Sequence, residues 1–181
     1  MGLVEAKLKI LERLWEDQEP MKAKDVAQKL NLRVAAATLD LLRLEKLGYV
    51  HIPKHGYYVI TDLGKEIIGL PKIDKAHAAK ILSTVPYDKA FHFYISMHQY
   101  TNVLANSLPD FRDKLQTIDV KSVEFHVPRK DFEQWFQSFG DVELAKRLGL
   151  ICSLHLHGQE LRTKVHETVK HRSEELKNIH D

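Results

Sequence analysis

Residues 33–64 read RVAAATLDLLRLEKLGYVHIPKHGYYVITDLG, and the hydrophobic period changes inside them. Up to Leu47 the apolar residues recur at helical spacing. After Gly48 they alternate, and a Gly-bearing turn at His55-Gly56 separates YVHIPK from YYVI. A helix stopped by a C′ glycine and followed at once by a short hairpin leaves few folds open. Pro53 has no N–H to give a neighbour, so it belongs on an exposed edge of that hairpin. Thr61 can cap a last short helix, TDLGKEII.

The residues upstream complete a module. In LVEAKLKILERLWE, Leu3, Ala6, Ile10, Leu11, Leu14 and Trp15 fall near one helical face, and Pro20 closes the helix. MKAKDVAQKL reads as a second helix with Val26, Ala27 and Leu30 facing in, and Asn31 marks a tight turn. The third helix runs roughly over 33–47. The order is helix, helix, helix, hairpin, helix.

This order, and the run TLDLLRLEKLGYVHIPKHGYYVITDLG, resemble a winged helix-turn-helix domain of the MarR-like and ArsR-like regulators. The matching positions are the stripe Leu41 and Leu44, Gly48, the pair Tyr49 and Val50, and Thr61 to Gly64. The resemblance covers residues 1–70 and implies double-stranded DNA as partner, a homodimer on paired half-sites, and a role in transcription regulation. The third helix would enter the major groove with Arg33, Thr38 and Arg43 near bases. Between them Val34, Ala35, Ala36 and Ala37 cannot hydrogen-bond a base, so direct readout would be sparse. Lys22, Lys24, Lys29, Lys54 and His55 are the candidates for phosphate, the last two at the wing tip. Leu39 and Leu42 lie about 100° off the core stripe, which leaves them partly exposed unless a neighbour covers them. The alternative function is therefore a protein-interaction scaffold that docks through Leu39 and Leu42.

GLPKIDKA, residues 69–76, carries Gly, Pro and charge between two periodic regions and is the expected seam. It divides the chain into a domain over 1–72 and a C-terminal dimerisation or sensing domain over 73–181. The second part reads as KAHAAKILSTV, a connecting helix; AFHFYI, a strand; a helix over 107–117 with Ser107 as cap; SVEFHV, a second strand; a helix over 129–139 ended by Gly140; a helix capped by Asp141; and a long polar helix over 158–179. AFHFY, SLPDFRDKL and SVEFHVPRKDFEQWFQSFGDVELAKRL resemble a widespread prokaryotic family known only as a domain of unknown function. The resemblance covers 88–150, and Lys130 stands where that family commonly has Gly. The fold class expected of the whole is α+β: a winged helix joined to a small, mostly helical α/β domain with a short sheet and a long C-terminal helix.

If AFHFYI and SVEFHV are parallel neighbours, His92, Tyr94, Glu124 and His126 share a face. Two His and a carboxylate suit a divalent metal, and this is a less favoured third function, a small metal-binding protein. The plainer reading is a half-exposed sheet. The charges of Arg129, Lys130, Asp131 and Glu133 fit a helix first turn. Cys152 near His155 and His157 reads as a small buried hydrophobe, not a nucleophile. No His-Glu-x-x-His, phosphate loop or nucleophile elbow occurs, so no enzyme and no cofactor are expected. On the last helix Leu161, Val165, Val169, Leu176 and Ile179 form a narrow stripe interrupted by Arg172, suited to packing back on the domain or to a second chain.

Composition adds limits. Lys and Arg number 27 against 25 Asp and Glu, a net charge of +2, which neither demands nor excludes nucleic acid. The single cysteine forbids an intramolecular disulfide and suits a reducing cytoplasm. No apolar run approaches the roughly 20 residues that span a membrane. The effector, if there is one, is not legible.

Overall fold

The computed structural model describes the backbone of residues 3–180 and the side chains of residues 5–180. Leu3, assigned above to the first apolar stripe, lies outside the described side chains. Packing divides the chain into two units, Met1–Lys72 and Ile73–Asp181. The fold is α+β, with two small antiparallel sheets and a long last helix.

The first unit runs α1 (Leu3–Asp17), β1 (Met21–Lys22), α2 (Ala23–Lys29), α3 (Val34–Lys46), β2 (Val50–Lys54), β3 (Tyr57–Ile60) and α4 (Asp62–Ile67). Its core gathers Ile10, Leu11, Leu14, Met21, Val26, Leu41, Leu44, Val50 and Tyr58. Two-residue β1 was not foreseen. It pairs with β3, so the sheet order is β1-β3-β2 and β2, with Pro53, is an edge. Asn31 takes the left-handed conformation at φ 52 and makes the expected turn. At the end of α3, Gly48 N–H bonds to Glu45 O and Tyr49 N–H to Leu44 O, with Gly48 at φ 77. This pair of bonds is a Schellman cap, which a glycine enters without a Cβ penalty.

Thr61 does more than cap. Its Oγ1 accepts from Gly64 N–H at 3.1 Å and donates to Gly48 O at 2.7 Å. A Cβ on Gly64 would lie 2.2 Å from the carbonyl oxygen of Tyr49. The Thr-x-x-Gly run is thus the close crossing that joins the end of the hairpin to the turn after α3.

The second unit runs α5 (Lys75–Leu82), a 3-10 turn over Tyr87–Lys89, β4 (Phe91–Ser96), β5 (Gln99–Ala105), α6 (Leu108–Thr117), α7 (Val120–His126), α8 (Asp131–Ser138), α9 (Val142–Cys152) and α10 (Gly158–His180). Phe93, Phe111, Phe132 and Phe136 are fully buried in its core. Ser107 caps α6 by accepting Asp110 N–H, and Asp141 caps α9 by accepting Leu144 N–H.

Two expectations fail here. SVEFHV is not a strand but most of α7, capped by Asp119 through Lys121 N–H. The partner of β4 is β5, antiparallel to it, with His92 opposite Leu104 and Tyr94 opposite Tyr100. The alternation of Val123, Phe125 and Val127 is too short to separate the two periods, and Ser122, Val123 and His126 fit a buried helical face equally well. His155 and His157, near Cys152 in the sequence, lie in the link between α9 and α10.

Candidate functional site

In the first unit, α3 buries Ala37, Asp40, Leu41 and Leu44. The opposite face carries Ala35, Leu39, Leu42 and Lys46, by the 100° step of a helix. Leu39 is 50% and Leu42 41% exposed. Arg33 precedes the helix, exposed, and its side chain makes no capping bond. The other two residues expected near bases are engaged inside the unit. Thr38 Oγ1 donates to Val34 O at 2.8 Å, and Arg43 pairs with Asp40 at 3.2 Å. Among the phosphate candidates, Lys29 pairs with Asp17. Lys24 and His55 are exposed.

Lys22 and Lys54 are organised in a way that sequence reasoning missed. Both are register partners of Tyr57, one across β1–β3 and the other across β2–β3. Directly opposed residues share a sheet face, so Lys22, Tyr57 and Lys54 form one row across three strands. The Lys22 ammonium lies 5.1 Å and the Lys54 ammonium 5.7 Å from the Tyr57 ring centroid. A cation–π contact on each side orders two cations without neutralising either. Only β1 reveals this, because it brings Lys22 into the sheet.

In the second unit the proposed metal ligands part company. His126 Nε2 accepts the backbone N–H of Tyr94 at 2.9 Å, and Nδ1 is 2.7 Å from Asp131 Oδ2. Glu124 accepts from Gly158 N–H at 2.8 Å, at the start of α10. His92 Nδ1 is 3.3 Å from the Tyr100 hydroxyl. Among the described residues no group of three or more His, Cys, Asp or Glu is placed to hold a metal ion. Burial lowers the pKa of His126 below the ordinary imidazole value, against the opposing pull of Asp131.

Residues 44–170 match a family of unknown function, DUF5752. The chain belongs to this family. No curated protein and no solved structure matches it at a significant level. The DUF5752 match opens at Leu44 on α3, takes in the hairpin, α4 and the second unit as far as Lys170 on α10. Tyr57 and Lys54 therefore lie inside the DUF5752 segment, while Lys22 and most of α3 lie before it. The family thus spans the junction of the two units rather than the second alone. Among the described residues no helix is long and apolar enough to cross a membrane.

A second feature, in the second unit, was also missed. Arg172, which interrupts the apolar stripe of α10, is 2% exposed. It donates to both oxygens of Asp141 at 3.1 Å through Nε, to Glu143 at 3.0 Å and to Glu175 at 3.0 Å. Arg147 bonds Glu143 and Glu175 as well. Burial disfavours the charge on Arg172, but Asp141 and the two glutamates outweigh it and raise its pKa. This ring ties α9 to α10 and is structural in character: every carboxylate in it has a guanidinium partner.

Proposed function

We propose that the first unit is a winged helix that binds double-stranded DNA, and that the protein is a transcription regulator. The row Lys22–Tyr57–Lys54 carries the reading, since a duplex backbone is recognised by ordered, unneutralised cations. Three helices followed by an antiparallel hairpin and a short closing helix, the order on which the resemblance to a winged helix rests, support it. Base readout is weak, because the outward face of α3 is alanine and leucine, while Thr38 and Arg43 are held by Val34 O and Asp40. Affinity then rests on phosphate and is tolerant of sequence and sensitive to salt. Paired half-sites need a second copy, so a homodimer is part of the reading.

Titration of the full chain into a labelled mixed-sequence duplex tests this. Binding at about 50 mM salt that weakens steeply by about 200 mM is expected. No binding at the lower concentration overturns it.

One observation favours a docking module instead. Ala35, Leu39 and Leu42 recur at i, i+4 and i+7 on the open face of α3, the spacing of a helix–helix seam, and both leucines are half exposed. Leu42→Lys separates the two readings, because it adds a cation to a DNA surface and a desolvated charge to a docking surface.

A further inference from the structure

A cavity of ≈ 790 Å³ opens in the second unit between the end of α5, residues 84–90 and the outer face of α8. Its size is that of a small-molecule site. Trp135 and Phe139 form one wall, edge to face with ring centroids 4.5 Å apart, and neither is fully covered by protein. The Trp135 indole N–H is already given to Lys89 O at 2.8 Å. That wall therefore offers ring surface and no donor.

The charges around the cavity are unbalanced. Asp131 reaches it, but its Oδ2 already accepts from Arg129 Nε at 3.0 Å and faces His126 Nδ1 at 2.7 Å. Lys80 and Lys89 are exposed on the lining and have no ion pair among the described residues. The carboxylates on the lining are Asp88 and Asp131, and Arg129 already pairs with the second. Two cations from separate elements, an aromatic wall and, beside the paired Asp131, one further carboxylate select a flat molecule with a negative group.

The same lining argues against chemistry. The hydroxyl protons of Ser83 and Ser138 are donated to the carbonyls of Lys80 and Trp135, at 2.7 and 2.6 Å. The His126–Asp131 pair beside the cavity has no lone pair to offer, because Nε2 of His126 is occupied by Tyr94 N–H. A site without an activated nucleophile or base binds and releases its ligand.

We propose that this cavity binds a small aromatic anion, its ring on Trp135 and Phe139 and its carboxylate or phosphate on Lys80 and Lys89. The site stands on the residues of the second unit and does not rest on the DNA reading.

Nitrogen-15 NMR of the full chain tests it with three probes: 2-naphthoate, 2-naphthyl phosphate and neutral 2-naphthamide. The indole N–H of Trp135 reports on the cavity and that of Trp15, in the first unit, is the internal control. Both anions are expected to shift Trp135 and not Trp15, with a dissociation constant of about 1 mM or tighter for a probe of this size. The amide should bind about fivefold more weakly, the effect of a solvent-exposed charge pair. The tighter of the two anions identifies carboxylate or phosphate as the natural group. Lys80→Ala combined with Lys89→Ala, both at the surface, should abolish the preference for the anions while leaving both indole signals of the free protein in place. Failure of either anion to shift Trp135, equal binding of the amide, or a preference that survives in the double variant overturns the proposal.

Discussion

The backbone N–H of Tyr94 points at the Nε2 of His126, 2.9 Å away. A backbone amide can only donate, so Nε2 accepts and the ring proton sits on Nδ1, 2.7 Å from the Asp131 carboxylate. The arrangement resembles a catalytic His–Asp pair and differs at the decisive atom. The nitrogen that would serve as base is spent on β4. His126 instead links three elements, α7 that carries it, β4 through Tyr94, and α8 through Asp131.

Replacing His126 with Phe keeps an aromatic ring but strands the Tyr94 N–H. A loss of about 2 kcal/mol is expected, the cost of a buried unsatisfied donor. Urea denaturation of the full chain at neutral pH measures it; an unchanged midpoint contradicts the assignment.

The same bond sets a pH dependence. His126 is neutral in the fold, and burial lowers its pKa from the ordinary 6.5. The unfolded chain therefore binds more protons than the folded one as the solution is acidified. The contribution of His126 is fully present above pH 6.5 and is lost as pH falls through the lower folded value. Denaturation midpoints of wild type should fall across that window more steeply than those of His126→Phe. Parallel curves contradict it.

How much of this could be read in advance depended on the length of the pattern. The helix–glycine–hairpin run from Leu41 to Gly64 was legible because several local signals agreed: the leucine stripe, Gly48, the Gly56 turn and Thr61. The caps Ser107 and Asp141 were legible for the same reason. SVEFHV was misread because six residues with alternating apolar groups fit a strand and a short buried helix face alike, and nothing local marked Asp119 as a cap. With that strand went the convergence of His92, Glu124 and His126. The Lys22–Tyr57–Lys54 row was hidden because it depends on a two-residue strand whose partner is more than thirty residues away. Arg172 looked like a break in a stripe. Its partners Asp141 and Glu143 lie on another helix, which periodicity along α10 cannot show.

Arg172→Leu is expected to destabilise the chain by about 3–5 kcal/mol, because it leaves Asp141 without its guanidinium in a buried setting. Chemical denaturation followed by circular dichroism reads this directly. A change below the scatter of the measurement contradicts the network as a stabilising tie.

Gly64→Ala tests the crossing beneath the hairpin. The new Cβ meets the Tyr49 carbonyl oxygen, backbone that cannot swing away as a side chain can. A loss of about 2 kcal/mol is expected from the forced shift. Wild-type stability in this variant contradicts the close approach.

Leu42→Lys, on the open face of α3, should change stability by no more than about 0.5 kcal/mol. On the DNA reading it adds a cation and steepens the logarithmic salt dependence of duplex binding by about 0.9. A salt dependence of duplex binding unchanged in this variant contradicts the placement of this face on DNA.

The most direct test of the central claim is the slope of duplex affinity against salt, compared between wild type and the combined Lys22→Ala, Lys54→Ala variant. Each phosphate contact contributes about 0.9 to that slope, so the variant should bind more weakly and with a slope shallower by about 1.8. Absence of wild-type binding at low salt, or equal slopes in the two proteins, contradicts the role assigned to the Lys22–Tyr57–Lys54 row.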